Sequence, residues 1–235
     1  MLQKILLTIL FCAPLYVTAN EKTDEVDYGR LSETLGHLIV RQLDQADVPF
    51  DFEQVIQGIR DEKAGKPAPM SEEEYEQVVC ALQEQTFLQT AENNLAAADI
   101  FLKENSCKAG VQSIDQKLQF QISQEGHGDT IGPDSIPLIH YQGKLLDGTI
   151  FATSESVGEP VALPIKQSIP GFAKGLVGMK EGEKRTLYIH PELAYGLSGQ
   201  LPPNSLLIFE VEIVKANAVN AQEVAKVLEP TSIIE

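Results

Sequence analysis

The side chains that could do chemistry in this chain cluster in a few short motifs between residues 136 and 214. These motifs combine aromatic and aliphatic residues with glycine and proline, and they contain almost no nucleophile, general base or metal ligand. Such side chains can bind an apolar group and change its conformation, but they cannot easily make or break a covalent bond. The motifs are IHYQGKLLDGTIF (139–151), SIPGF (168–172), LAYG (193–196) and LPPNSLLIFEVEIV (201–214).

Other reaction classes lack their signatures in this sequence. The chain contains no G-x-S-x-G, H-E-x-x-H or P-loop pattern. Its histidines show no metal-ligand spacing, and two of them are predicted to lie in strands, where a structural role is favoured over metal binding. We therefore expect no cofactor and no metal. The histidines are His37, His127, His140 and His190, of which the last two are the predicted strand residues.

The charge of the chain excludes one class of partner. Its 235 residues carry a formal net charge of −16. A surface this acidic repels phosphate backbones and anionic lipids, so we predict that the protein binds neither nucleic acid nor a charged membrane surface.

The amino-terminal segment resembles a removable secretory signal. Lys4 precedes an apolar run that ends at Val17, and Val17-Thr18-Ala19 resembles a signal-peptidase site. This run is shorter than the roughly 20 residues that span a bilayer, which favours cleavage over an uncleaved anchor. We expect residues 1–19 to be removed and the protein to be exported, to the periplasm, the outer membrane or the cell surface.

The chain from residue 20 to residue 110 has the periodicity of helices. Ser71 and Glu74 form the S-x-x-E capping box, and neither proline nor glycine occurs between them and Gly110. We predict one long helix over about 71–105, preceded by two short helices. Two short helices cannot cover one face of so long a rod, so we expect a homodimer through this half. A monomeric arm with a solvated far end is the alternative.

The two cysteines after the signal segment are predicted to be unpaired within one chain. Cys80 and Cys107 lie on the predicted long helix and at its end, so about 27 residues of helix separate their Cα atoms by roughly 40 Å. A disulfide needs a separation below about 7 Å. An interchain bridge across the dimer is the alternative.

Beyond residue 110 the pattern changes to the alternation of strands. Asp147-Gly148 lies between two apolar-patterned runs, which is a strong hairpin signal. A short helix over 171–179 is predicted to pack across the sheet, so the fold class is α+β. The predicted strands are 118–122, 138–144, 149–151, 184–190 and 206–214.

The motif order HY-x-G, DG-x-x-F, IPGF, LAYG, PP-N-x-x-L-x-F-x-V-x-I resembles the FKBP family of peptidyl-prolyl cis-trans isomerases over residues 115–215. The helical half ahead of it is similar to the macrophage infectivity potentiator type. This resemblance implies an FKBP-like antiparallel sheet wrapped on one short helix, over 111–215, behind an all-α dimerisation domain over 20–110, with a tail over 216–235. The implied partners are proline-containing polypeptides and macrolide inhibitors.

The resemblance also assigns roles to individual residues. Phe172 is expected at the floor of an aromatic bowl, and the Ile169 N–H and the Tyr195 hydroxyl are expected to bond the carbonyls of the substrate peptide. The remaining bowl residues are Tyr141, Phe151 and Phe209, and the rim residues are Val161, Leu163 and Leu201. From periodicity alone, each strand aromatic has an equally good interpretation as a core residue.

The sequence departs from the family pattern at the bowl. Phe172 stands where most members have tryptophan, and the chain contains no tryptophan. Ala152 replaces a usual aspartate, while Val161 and Leu163 replace aromatic residues on one wall. We therefore predict measurable but modest isomerase activity, and the same departures bear on macrolide affinity. A dimeric chaperone, whose bowls hold unfolded chains with little turnover, is the alternative function.

Overall fold

The computed structural model describes residues 26–44, 48–155 and 158–218. The chain divides into two compact units, with the boundary between Val55 and Ile56. The predicted signal peptide over 1–19 lies outside the described residues, as does most of the predicted tail over 216–235.

The amino-terminal half is helical, as the periodicity predicts. Helix α1 spans Tyr28–Asp44 and helix α2 spans Phe52–Lys63, and neither contains a buried residue. Helix α2 begins where Asp51 accepts hydrogen bonds from the backbone N–H groups of the two residues after Phe52, at 3.0 and 3.3 Å. Among the described residues, no helix is long and apolar enough to cross a membrane.

The long helix, α3, spans Glu72–Asn105 and confirms the prediction of one continuous rod. Both halves of the capping box form: Ser71 Oγ accepts from the Glu74 N–H at 3.2 Å, and the Glu74 carboxylate accepts from the Ser71 N–H at 2.9 Å. The Glu74 carboxylate accepts from the Ser71 N–H and from the Ser71 hydroxyl, and these two bonds hold the pKa of Glu74 below its ordinary value. Only the second half of α3 has buried residues, and Cys80 and Cys107 are both free and exposed.

The second half of the chain forms one antiparallel sheet of seven strands, in the order β1-β2-β6-β7-β3-β4, with β5 paired to β3. Strand β7, the last in sequence among the described residues, therefore lies in the middle of the sheet between β6 and β3. The strands are β1 Val111–Asp115, β2 Leu118–Gln124, β3 Leu138–Lys144, β4 Ile150–Thr153, β5 Val161–Ala162, β6 Lys184–Ile189 and β7 Leu207–Lys215.

The β3–β4 hairpin turns at Asp147-Gly148, as predicted. Gly148 has a φ of 88°, a left-handed conformation that glycine adopts without a Cβ penalty. The Asp147 carboxylate accepts from the Thr149 N–H at 2.8 Å and its pKa is lowered by that bond.

Helix α4, Pro170–Leu176, lies across one face of the sheet and closes the core. Gly175 of α4 faces the side chain of Leu187 on β6, and a Cβ at this glycine would lie 2.6 Å from Leu187 Cδ1. This close approach lets the helix contact the sheet. The core beneath it is built from Leu118, Ile139, Leu176, Met179, Leu187, Ile189, Leu207, Val211 and Ile213.

The structure adds elements that the sequence patterns do not predict. Strands β1 and β5 are new, as are two short 3₁₀ turns at Ile165–Gln167 and Pro191–Leu193. The prediction that His190 lies in a strand is wrong, because β6 ends at Ile189. His190 instead caps the second 3₁₀ turn, where its Nδ1 accepts from the Glu192 N–H at 3.2 Å.

Candidate functional site

Four aromatic rings, one from α4 and three from strands of the sheet, converge in one place. Phe172 and Phe209 are the closest, with ring centroids 4.5 Å apart. Tyr141 lies 6.4 Å from each of them, and Phe151 lies 5.5 Å from Phe209 at an interplanar angle of 87°. These separations fall in the range preferred by tilted and edge-to-face aromatic pairs. The four rings form a single cluster, which we call the aromatic bowl.

The strand register explains why these rings meet. Tyr141 on β3 pairs with Val211 on β7, and Gly143, two residues further along β3, pairs with Phe209. Because successive side chains alternate between sheet faces, Tyr141 and Phe209 point to the same side. Phe151 arrives on that side from β4.

Gly143 leaves room for two of the rings. A Cβ at this position would lie 2.7 Å from Phe151 Cζ and 2.9 Å from Phe209 Cε1, which is too close for carbon atoms. The sequence analysis did not select Gly143 as a site residue. Its signal was the glycine in the HY-x-G motif, on the same strand face as Tyr141.

Helix α4 places Phe172 at the bottom of the bowl. Pro170 is the first residue of this helix, a position where its missing N–H costs no hydrogen bond. Two residues later, Phe172 is only 5% exposed and Phe209 beneath it is 6% exposed. Both rings are therefore almost fully buried, and the role of Phe172 as the floor of a binding site stays a prediction.

Two polar donors that are predicted to bond the substrate have no protein partner within the described residues. Ile169 is the N-cap of α4, and within the described ranges its N–H donates to no acceptor of the protein. Tyr195 is 47% exposed, and no hydrogen-bond partner of its hydroxyl occurs in the part of the chain that the structure describes. The pKa of Tyr141 is raised, first by burial and then by the neighbouring Tyr195. The two tyrosines therefore stand near each other.

The predicted rim residues occupy different surroundings. Leu163 and Leu201 are partly buried and pack against the cluster that contains Phe172 and Phe209. Val161 is also partly buried, but it lies in β5 opposite Ile139, outside that packed cluster. Its role at the rim stays a prediction.

A serine supports the bowl from behind. Ser154 is 1% exposed and follows β4. Its Oγ accepts from the Tyr141 N–H at 3.0 Å, and its own N–H donates to the Tyr141 carbonyl at 2.9 Å. These bonds fix the backbone of Tyr141. No local pattern predicts them, because Tyr141 lies on β3 and Ser154 follows β4.

The arrangement suits binding more than covalent chemistry. The bowl presents rings and aliphatic chains, and the described residues contain no group of three or more His, Cys, Asp or Glu side chains that could hold a metal ion. An apolar ring can enter the bowl, while the Ile169 N–H and the Tyr195 hydroxyl can bond polar atoms beside it. Fold and site together define an isomerase-like protein, one that binds a compact apolar group and alters a conformation.

Comparison with known sequences identifies the family. Residues 128–214 match the profile described as FKBP-type peptidyl-prolyl cis-trans isomerase. Residues 29–122 match the profile described as the domain amino terminal to FKBP-type peptidyl-prolyl isomerase. The chain belongs to the FKBP-type peptidyl-prolyl cis-trans isomerase family, as the order of motifs indicated.

Individual relatives extend this match over most of the chain. A protein of Chlamydia pneumoniae named peptidyl-prolyl cis-trans isomerase Mip is 47% identical over 204 residues, which cover 85% of this chain and 79% of the relative. The Outer membrane protein MIP of Legionella longbeachae is 28% identical, with coverage of 84% and 91%. The crystal structure of FkpA from Escherichia coli aligns with a TM-score of 0.68 at 29% identity, covering 84% of this chain and 98% of that one. These names favour the isomerase over the chaperone without turnover.

Proposed function

We propose that the aromatic bowl catalyses cis-trans isomerisation of Xaa-Pro peptide bonds in exported proteins and so assists their folding. The observation that carries this assignment is the packing of Phe172 against Phe209, at 4.5 Å, at the floor of a bowl edged by two polar donors. A proline ring is an apolar group of the size that such a floor accepts. The family to which the chain belongs supports the same reaction.

The physical requirement for this reaction is modest. Rotation about the C–N bond must break amide resonance, which imposes a barrier of about 18–20 kcal/mol. For Xaa-Pro bonds the isomers are close in energy, yet they exchange over tens to hundreds of seconds. A catalyst therefore needs only to bind the twisted amide better than either planar form. No bond is broken and no cofactor is required.

Each part of the site has a proposed role in this binding. Phe172 forms the floor, with Tyr141, Phe151 and Phe209 as walls that bury the pyrrolidine ring and exclude water. The planar amide is more polar than the twisted one, so removal of water destabilises the planar forms selectively. The Ile169 N–H and the Tyr195 hydroxyl hold the carbonyls of the peptide. The rim is formed by Val161, Leu163 and Leu201.

The reaction is tested by exchange kinetics of an Ala-Leu-Pro-Phe peptide with the full chain. We expect acceleration over background, and about a tenfold loss of kcat/KM in Phe172→Leu, which keeps an apolar floor without its aromatic partners. Phe87→Leu is the matched control, since Phe87 is an exposed residue of α3, 42% accessible. Absence of any acceleration by the unaltered protein would refute the assignment. The same peptide with a macrolide competitor measures inhibitor binding to this bowl.

We further propose that the protein is a homodimer through its helical half. Helix α1 leaves Leu31, Leu35 and Leu38 exposed at 59%, 57% and 49%, and the first half of α3 leaves Tyr75 and Val78 exposed at 46% and 50%. A second copy would cover such apolar side chains. Light scattering that reports the mass of a monomer would contradict this proposal.

The domain boundaries and the location are also proposals. We place a helical domain over 20–110, a catalytic domain over 111–215 and a tail over 216–235. Export is supported by the signal-like segment over 1–19 and by the name of the Legionella longbeachae relative. Fractionation of cells, with detection of the mature protein in the periplasm, in the outer membrane or on the surface, distinguishes the predicted locations.

A further inference from the structure

The second half of α3 presents one continuous stripe to the catalytic part of the chain. Its members follow the spacing of one helical face, and the stripe combines small and apolar residues with two asparagines. Leu206 of the catalytic part is 1% exposed and packs with Ala98 and Leu102 of this stripe. The stripe residues are Ala91, Asn94, Ala98, Leu102 and Asn105.

Buried polar groups fix the carboxyl end of this stripe. Asn105, 1% exposed, donates from Nδ2 to Gln119 Oε1 on β2 at 3.0 Å. Gln119 in turn donates from Nε2 to the Leu102 carbonyl at 2.7 Å. Because buried amides are costly to leave unpaired, this pair holds α3 at one register on the sheet.

At the other end of the stripe, two amides clamp a loop that belongs to the site. Asn94 Nδ2 donates to the Pro203 carbonyl at 2.8 Å, and Asn204 Nδ2 donates to the Ala91 carbonyl at 3.2 Å. The bonds run in opposite directions, from helix to loop and from loop to helix.

Asn204 connects this clamp to the predicted substrate contacts. Its backbone N–H donates to the Gly196 carbonyl at 2.7 Å, and Gly196 follows Tyr195. Asn204 has a φ of 53°, the one positive φ outside glycine among the described residues. Asparagine tolerates this conformation better than most residues. One residue thus binds α3 with its side chain and the Tyr195 turn with its backbone.

We propose that Asn94 and Asn204 are positioning residues for the isomerase reaction. They hold the loop over 194–205 against α3, so that Tyr195 and Leu201 stand in place before the peptide arrives. The second half of α3 is then part of the catalytic machinery and not only a stalk. This inference rests on the proposed function of the bowl.

The clamp acts on the population of the binding-competent loop. Tyr195 is half-exposed, and the other bonds that hold its turn are local: the Ala194 and Gly196 N–H groups donate to the Pro191 carbonyl at 3.0 and 3.1 Å. The clamp is what joins this turn to α3. If only a fraction of molecules has the loop in place, the apparent dissociation constant rises by the inverse of that fraction. At saturation the peptide selects the competent loop, so kcat is retained. Loss of the clamp therefore raises KM and leaves kcat unchanged.

The test compares Asn94→Ala and Asn204→Gly with Asn93→Ala in the full chain, using exchange kinetics of the Ala-Leu-Pro-Phe peptide. Glycine at position 204 keeps the positive φ and removes only the side-chain amide. Asn93 lies next to Asn94 on α3, but its side chain accepts from Gln89 Nε2 at 3.2 Å, away from the loop. We expect KM to rise about fivefold in each clamp variant, which corresponds to one hydrogen bond of about 1 kcal/mol, and to stay unchanged in Asn93→Ala.

KM and kcat together distinguish loss of the clamp from loss of the folded protein. A partly unfolded variant has fewer active molecules, so its kcat falls while its KM stays constant, and that result in both clamp variants would overturn the inference. Equal constants for the clamp variants and for Asn93→Ala would overturn it as well. Asn94→Gln, which keeps a carboxamide donor, is expected to retain part of the affinity that Asn94→Ala loses. If the unaltered protein itself shows no activity, the proposed function fails instead.

Discussion

Replacement of Gly143 by alanine is expected to damage the bowl directly. The added Cβ would lie 2.7 Å from Phe151 Cζ and 2.9 Å from Phe209 Cε1. Carbon atoms prefer separations of about 3.5–4.0 Å, so one or both rings must retreat by about 0.8 Å. Overpacking of a core by one methyl group costs about 1–3 kcal/mol. At about 4 °C for each kcal/mol, the Tm should fall by about 4–12 °C.

The loss of activity should exceed the loss of stability. Displacement of binding groups by about 1 Å can reduce a rate by as much as about 100-fold, so we expect kcat/KM to fall between about 10-fold and 100-fold below the melting transition. Exchange kinetics at 10 °C and a thermal melt measure the two effects on the same sample. Gly132→Ala is the control, because its Cβ would meet only Ser135 Oγ at an ordinary 3.5 Å. A Gly143→Ala protein with unaltered kcat/KM would refute the view that these rings form the substrate pocket.

Three further perturbations follow from the same structure. Tyr195→Phe should lower kcat/KM about fivefold and leave the Tm unchanged, because it removes a hydrogen bond to the substrate but none within the described protein. Activity equal to that of the unaltered protein would contradict the role of the Tyr195 hydroxyl in binding substrate. Burial is the main cause of the raised pKa values of Tyr141 and Tyr188. The stability contributed by these two neutral side chains should be full below the unfolded pKa of about 10 and be lost as the pH rises through the folded pKa values. Urea titrations at pH 8 to 11.5 check this, and a constant unfolding midpoint would be inconsistent with it. Arg185→Met should cost about 3 kcal/mol in urea unfolding, because the carboxylate of Glu183, 4% exposed and 2.6 Å from the Arg185 guanidinium, loses its charged partner and keeps only the hydrogen bond from the Lys180 N–H at 3.2 Å.

Local signals were sufficient to predict much of this fold. Ser71 and Glu74 lie within one helical turn of each other, so their reciprocal bonds and the start of α3 follow from the sequence alone. The turn at Asp147-Gly148 is equally local. Alternation along β7 predicted the face that carries Phe209. In each case the residues that decide the structure are neighbours in the chain.

The elements that escaped prediction depend on distant partners. In strand β1 only Val111 is partly buried, and its other residues are exposed. The pairing of β1 with β2 therefore leaves no hydrophobic alternation in the sequence that would predict a strand. Strand β5 contains two residues and exists because β3 offers a free edge. The clamp joins Asn94 to Pro203 across 109 positions of sequence, and no local pattern indicates such a bond.

Within the bowl, too, the contacts between residues distant in sequence could not be predicted. The motif order predicted which aromatic residues belong to the site, but not that Gly143 makes room for them or that Ser154 holds the backbone of Tyr141. Those contacts depend on the register between β3 and β4, which only the assembled sheet defines.

The central position of β7 has a consequence for how the protein folds during its synthesis. Strands β6 and β3 each pair with β7 and not with each other, so a nascent chain that has not reached Leu207 contains two separate pieces of sheet. Tyr141 and Phe151 would be on one piece, while the strand that carries Phe209 would still be absent. Synthesis proceeds from the amino terminus, so these two pieces of sheet join only after the residues of β7 have been added. The cluster of Tyr141, Phe151 and Phe209 is therefore completed only when the segment that forms β7 is available to pair with both pieces.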